Sequence, residues 1–211
     1  CRRLGALAQL GERLDRTQEV GGSSPPCSTH PMTGDLLVRP MRRDELDALV
    51  GWAADEGWNP GLHDAEVFWA TDPEGFMAAE SGGELAGGGA IVSYGGRFGF
   101  MGLFIVAPAH RGRGLGRRLW HERKTRLLDR LEPGAAIGMD GVPAMRDFYA
   151  RGGFRAAGRS ARFEGVGATA PTPAGLVDAR EVPFGDLLAY DAARFPAPRP
   201  AFLEPWLAQP G

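Results

Sequence analysis

From residue 36 onward the chain switches repeatedly between two hydrophobic periods. Leu36-Leu37-Val38-Arg39 is short and apolar, which predicts a strand. Across residues 43–56, Leu46, Leu49, Val50 and Ala53 fall three or four apart, the spacing of one helix face. Asp44 and Glu45 stand in its first turn, where the helix dipole favours carboxylates. Gly57-Trp58-Asn59-Pro60-Gly61 breaks this helix. A second one starts at Asp64, a good N-cap, runs through Trp69 and stops before Asp72-Pro73. Strands over residues 75–80, 85–94 and 98–106 follow, separated by the hairpin-forming pairs Gly82-Gly83 and Gly95-Gly96. The most regular helix covers residues 112–129, with Leu115, Leu119 and Leu127-Leu128 on one period, and Glu132-Pro133-Gly134 ends it. A strand at 135–140, a short helix at 144–151 and a final strand or pair at 154–164 complete the series. The order predicts an α/β fold: a mixed, mostly antiparallel sheet of six to seven strands flanked by four helices.

The two flanks behave differently. Residues 1–31 carry no amphipathic period. Ala8-Gln9-Leu10-Gly11-Glu12 and Gly22-Ser23-Ser24-Pro25 resemble the in-frame translation of a transfer-RNA gene, its D-arm and T-arm respectively. The segment is expected to be a spurious leader or a disordered tail, in either case outside a domain spanning residues 32–165. Residues 166–175, small and rich in Pro and Thr, read as a linker. In residues 176–211, Phe184, Leu187-Leu188, Phe195, Phe202 and Trp206 are too apolar for a disordered tail and too few to close a core. That stretch is expected to begin a truncated second domain.

Composition narrows the partners. A hydrophobic fraction of 43% and a net charge of −2 lack the basic excess of a nucleic-acid binder. No apolar run approaches the roughly 20 residues that span a bilayer, so no membrane partner is expected and the compartment is read as cytoplasmic. Cys1 and Cys27, the two cysteines of the chain, both lie in the leader. The domain therefore offers no disulfide and no thiolate nucleophile. His63, His110 and His121 are too scattered for a metal spacing, and no metal is expected.

The chemistry concentrates in Leu103-Phe104-Ile105-Val106-Ala107-Pro108-Ala109-His110-Arg111-Gly112-Arg113-Gly114-Leu115-Gly116: an apolar strand, a turn, then a glycine-rich entry to a basic helix. Glycines there let an anion approach the backbone without a clashing Cβ. The free N–H groups of the first helical turn and the helix dipole attract it. Arg111, Arg113 and Arg117 can add charge-assisted contacts. A dinucleotide fold would want G-x-G-x-x-G early in the chain, and a P-loop would want Gly-Lys-Ser/Thr at the helix start; neither pattern is met. Glycines kept only for packing would cost the helix about 1 kcal/mol each.

Arg111-Gly112-Arg113-Gly114-Leu115-Gly116 resembles the R/Q-x-x-G-x-G/A signature of the GCN5-related N-acetyltransferases (GNAT), in the right place after the fourth strand. Asp147-Phe148-Tyr149-Ala150-Arg151-Gly152-Gly153-Phe154 resembles their second signature, a tyrosine followed closely by Gly-Phe. The resemblance covers residues 36–164. It implies the GNAT fold and acetyl-CoA as co-substrate. The backbone of Phe104, Ile105 and Val106 would pair with the pantetheine arm, while Arg111, Gly112, Arg113, Gly114, Leu115, Gly116 and Arg117 would hold the pyrophosphate. Runs such as Glu56-Gly57-Trp58-Asn59-Pro60-Gly61 and Met139-Asp140-Gly141-Val142-Pro143 are similar to a bacterial subgroup with tandem acetyltransferase-like domains. Where the family has an asparagine upstream of the tyrosine, this chain has Val142-Pro143.

The implied reaction is direct transfer of an acetyl group to an amine, with a small-molecule or peptide acceptor. Tyr149 is the expected proton donor to the departing thiolate. Glu80 and Asp140, near strand ends that should face the cleft, are the candidates for general base. Trp58 and Asn59 lie where this family shapes its acceptor pocket. Arg123, Lys124, Arg126 and Arg130 are expected on a solvated helix face. A degenerate acyl-CoA-binding sensor or accessory module is the other reading that the glycine signature allows.

Overall fold

The computed structural model describes residues 36–158, 163, 165–166 and 174–210, together with the backbone of residues 10–14. Seven strands form one sheet: β1 (Leu10–Leu14), β2 (Leu36–Pro40), β3 (Phe76–Ser81), β4 (Glu84–Tyr94), β5 (Phe98–Val106), β6 (Ala136–Gly141) and β7 (Phe154–Ala156). Their spatial order is β2-β3-β4-β5-β6-β1-β7. Pairing is antiparallel throughout except between β5 and β6, which run parallel. Six helices accompany the sheet: α1 (Arg43–Asp55), α2 (Asp64–Thr71), α3 (Leu115–Asp129), α4 (Arg146–Arg151), α5 (Phe184–Ala192) and α6 (Pro200–Leu207).

The period-two alternation of the strands feeds two cores. On one face, Leu115, Leu119, Trp120 and Leu127 of α3 and Tyr149 of α4 bury Met77, Ile91, Met101 and Met139. On the other, Leu46, Leu49 and Ala53 of α1 cover Phe76, Ala78, Ala90, Val92 and Phe98. Such two-faced cover is what a central sheet requires, since each face exposes every second side chain. The layers are locked at one edge by Asp72, which accepts two hydrogen bonds from Arg130 (2.7 and 2.8 Å) and one from the Ser93 N–H (2.8 Å).

Three features depart from the expectations. Leu10–Leu14, assigned to a segment outside the fold, instead lies between β6 and β7, in register with residues 137–141. α3 begins at Leu115 rather than at Gly112, because Gly112 (φ 76°) and Gly114 (φ 80°) are left-handed and cannot join a right-handed helix. Residues 184–207, expected to open a separate domain, fold back on the α1/α2 face. There Phe202 packs against Phe68 with ring centres 5.6 Å apart, and Phe195 meets Tyr94 and Phe98 edge-on. Much of the expected strand region at 154–164 and of the linker falls outside the described residues.

Candidate active site

β5 and β6 pair from Phe98↔Ala136 to Met101↔Met139 and then part. β5 stays bonded to β4 as far as Val106↔Gly87, so from Gly102 onward it has one paired edge and one open edge. An open edge is a row of unpaired N–H and C=O groups that can bond an extended amide chain. The pairing with β4 slips by one residue there: Gly89 alone opposes Leu103 and Phe104, and Leu103 takes a left-handed φ of 47°. This is a β-bulge, and it reverses the alternation. Before it, Met101 faces α3; after it, Phe104 and Val106 do.

The resulting cleft has a volume of about 1230 Å³. It runs from the turn before α3, past the open edge of β5, to the α1/α2 face. At its first end, His110, Arg111, Gly112, Gly116 and Arg117 line the wall. The first turn of α3 contains no acidic residue, and its free amides open toward this end. Arg111 uses its guanidinium otherwise: Nε donates to the Val106 carbonyl (2.8 Å) and Nη2 to the Glu56 carboxylate. It braces the strand end against α1 rather than standing free for an anion. Arg113, Gly114 and Leu115 lie behind the lining, with Arg113 exposed and Leu115 in the core.

Tyr149 and Asp140 border the cleft where β5 and β6 part. Tyr149 is buried, its ring 5.6 Å from Trp120 and 5.8 Å from Phe148. Position 141 must be glycine for this arrangement, since a Cβ there would lie 2.5 Å from the tyrosine ring. Asp140 keeps contact with solvent in the open cleft, yet the surrounding protein displaces enough water to push its carboxyl above the ordinary range. Glu80, the other candidate base, does not reach the cleft. Its carboxylate pairs with Arg39 at 3.0 Å, in a cluster that also contains Glu45, at the far side of the sheet. The two carboxylates share the role of strand-end acids in the sequence, but only Asp140 stands beside Tyr149.

The opposite end is aromatic. Trp58, Phe68, Phe100, Phe195 and Phe202 line it, with Asp64 and Arg199 among the polar groups. Arg199 is itself engaged, bonded to Asp191 at 2.8 Å and stacked over Phe195 and Phe202. Trp58 lines this end of the cleft, while Asn59 is exposed and outside the lining.

Sequence reasoning misplaced Arg123. The expected solvated face of α3 holds only part of the series: Arg130 binds Asp72, Lys124 donates to the Gly152 carbonyl (2.6 Å), and Arg123 is fully buried against the cleft. The signal was present, because Leu115, Leu119, Arg123 and Leu127 share one i,i+4 stripe. Among the described residues no group of His, Cys, Asp and Glu is arranged to hold a metal, and no helix is long and apolar enough to cross a membrane.

A family model described as "Acetyltransferase (GNAT) family" matches residues 40–154. The holothin acyltransferase of Pseudoalteromonas sp. (strain SANK 73390) is 28% identical over 174 residues, covering 82% of this chain. The chain spans 58% of the length of that relative. Among solved structures, a GCN5-related N-acetyltransferase from Sphaerobacter thermophilus superposes with a TM-score of 0.50 at 18% identity, over 77% of this chain and 53% of that one. Rv2747 from Mycobacterium tuberculosis, solved in complex with CoA, gives a TM-score of 0.45 at 21% identity, over 56% of this chain and 71% of that one.

Proposed function

The chain belongs to the acetyltransferase (GNAT) family, and we propose that it transfers an acetyl group from acetyl-CoA directly to an amine. The observation that carries this reading is the parting of β5 from β6 beside a glycine-rich helix entry. The open edge of Gly102–Val106 suits an arm that carries amides, and the left-handed Gly112 and Gly114 present helix-start amides to a pyrophosphate. The residues present therefore fit acetyl-CoA, which brings the acetyl group as a thioester. Phe104, Ile105 and Val106 hold its arm by their backbone. The turn at 111–117 holds the phosphates through main-chain N–H groups, with Arg117 adding charge.

Tyr149 keeps a proton at its phenol oxygen for the sulphur, in a pocket where Trp120 and Phe148 exclude water. Asp140 takes the surplus proton of the amine, directly or through one water. Its raised pKa brings it nearer the operating range of a general base, since a base works best when its pKa approaches ambient pH. Glu80 has no part in this, as Arg39 holds it elsewhere. The amine enters from the α1/α2 side, past Trp58, with Asn59 at the outer rim. A small-molecule acceptor suits this walled entrance better than an extended peptide. The runs Glu56-Gly57-Trp58-Asn59-Pro60-Gly61 and Met139-Asp140-Gly141-Val142-Pro143 support membership of the tandem subgroup. The test is calorimetric titration with acetyl-CoA, followed by thiol-release assays over a panel of amines that includes holothin. Binding without release across the whole panel would overturn the reading in favour of an acyl-CoA-binding module.

A further inference from the structure

Arg123 has no exposed surface, and no carboxylate meets it. Its Nη2 donates to the carbonyls of Ala90 (2.5 Å) and Gly102 (2.7 Å), while Nε and Nη1 are buried without a partner. The other buried charged side chains, Glu45 and Asp72, are each matched by an arginine. A buried cation without a counter-charge costs several kcal/mol, so its retention calls for a compensating role. The fold makes room for it: a Cβ at Gly89 would lie 2.4 Å from the Arg123 Cζ.

Its place along the cleft is defined by α3 and β5, which run side by side. Gly116 lies beside Val106 at the anion end, and Arg123 reaches Gly102 at the bulge. Seven helical residues at a rise of about 1.5 Å put Arg123 roughly 10 Å further in. There it lies 5.1 Å from the centre of the Phe104 ring and one helical turn from Trp120, whose ring centre is 5.6 Å from that of Tyr149, and Arg123 and Tyr149 line the same cleft.

We infer that Arg123 is a positioning residue for the acid: its buried cation favours the phenolate that Tyr149 becomes on releasing its proton. This rests on the reading of Tyr149 given above. In the transfer, the bond from amine nitrogen to acyl carbon forms and the carbon–sulphur bond breaks, its electron pair going to sulphur. The phenol proton of Tyr149 passes to that sulphur, and the surplus proton of the amine leaves through Asp140. Arg123 keeps its own protons throughout. Among the described residues, the charged groups carried by the elements next to Tyr149 include Arg123 and Lys124 on α3, Asp140 on β6, and Arg146, Asp147 and Arg151 on α4. Of these, Arg123 alone is fully buried, where a charge is screened least. Burial lowers the affinity of its guanidinium for a proton and Tyr149 opposes that shift, yet a guanidinium remains charged across the working range, so the supporting charge is present throughout.

The test reads Tyr149 directly, without substrate. Tyrosine labelled with ¹³C at Cζ gives signals for Tyr94, Tyr149 and Tyr190, and Tyr149→Phe identifies the one of interest. Arg123→Met should move its titration midpoint upward by about one unit or more. Gly89→Ala, which pushes the guanidinium aside without deleting it, should move it the same way, and Arg123→Lys least. In single turnover, Arg123→Met should slow transfer about tenfold or more, yet add less than about twofold in a Tyr149→Phe background. An unmoved midpoint in both Arg123→Met and Gly89→Ala, or fully additive rate losses, would overturn the inference. If circular dichroism shows Arg123→Met unfolded, Gly89→Ala and Arg123→Lys carry the comparison. A normal single-turnover rate for Tyr149→Phe would instead remove the tyrosine from the mechanism, a separate outcome.

Discussion

The anion site proposed at the start of α3 makes the sharpest prediction, because a single carbon separates its two requirements. Gly114 has φ 80°, and a Cβ added to it would meet no heavy atom within 4 Å. Substitution by valine therefore creates no clash within the protein, only the cost of holding a β-branched residue left-handed, about 1–2 kcal/mol. Gly82, in the β3–β4 hairpin, has φ 63° and equally open surroundings, far from the cleft lining. Gly82→Val should thus carry a similar backbone penalty and serve as the control. At Gly114, just behind the cleft lining, the new side chain also crowds the turn that presents its amides to the proposed pyrophosphate site. Losing two charge-assisted hydrogen bonds at about 1.5 kcal/mol each gives about 3 kcal/mol, or roughly a hundredfold in Kd. Both variants should show similar losses in thermal melts, while calorimetry with acetyl-CoA should separate them by about two orders of magnitude. Equal affinity in the two folded variants would place the cofactor elsewhere.

Tyr149→Phe keeps the ring against Trp120 and removes only the hydroxyl. It should lower the single-turnover rate by about 10²–10⁴ with acetyl-CoA affinity nearly intact, and a loss of rate matched by a loss of affinity would demote it to a packing residue. Asp140 has a raised folded-state pKa because partial desolvation penalises its charged form, so its contribution to stability is present below the unfolded pKa and is lost as pH rises through the folded pKa. Asp140→Asn should consequently flatten the stability profile across that window while abolishing the acidic limb of kcat/KM; an unchanged limb would assign the base elsewhere. Asp72→Ala strands Arg130 and the Ser93 N–H, which should cost about 3 kcal/mol in urea unfolding and leave acetyl-CoA binding unaffected. A loss below about 0.5 kcal/mol would show that water replaces the clamp.

Legibility in the sequence followed the range of the interactions. The strands and helices between Leu36 and Arg151 rest on local periodicity, and they appear within a few residues of where it places them. The glycine-rich entry was equally readable, because Gly112 and Gly114 state a backbone need that few other residues meet. Leu10–Leu14 was not: Leu-Gly-Glu-Arg-Leu lacks a two-residue alternation, and its partners lie more than 120 residues away. The bulge was hidden for a different reason, since leucine gives no sign that it will adopt φ 47°. α5 and α6 were obscured by Pro205 and by too few apolar residues to close a core alone. α6 and the preceding turn acquire one only by resting Phe202 on Phe68 and Phe195 on Tyr94 and Phe98.

Arg123 exposes the assumption behind its misplacement. Binary patterning sorts residues by polarity and so sends an arginine outward even when its position on the helix points in. Yet a cation on the Leu115–Leu127 stripe lies opposite Gly89, which has no side chain of its own to fill the space. The missing side chain at Gly89 forfeits apolar burial, and β4 compensates by admitting a guanidinium to the broken ladder beside the bulge. The bulge, Gly89 and the buried arginine are therefore one device. Leu103 leaves the ladder, the carbonyls of Ala90 and Gly102 gain Arg123 as donor, and Gly89 makes the space. Changing any one of them disturbs the other two, which is why Gly89→Ala and Arg123→Met should act on Tyr149 in the same direction.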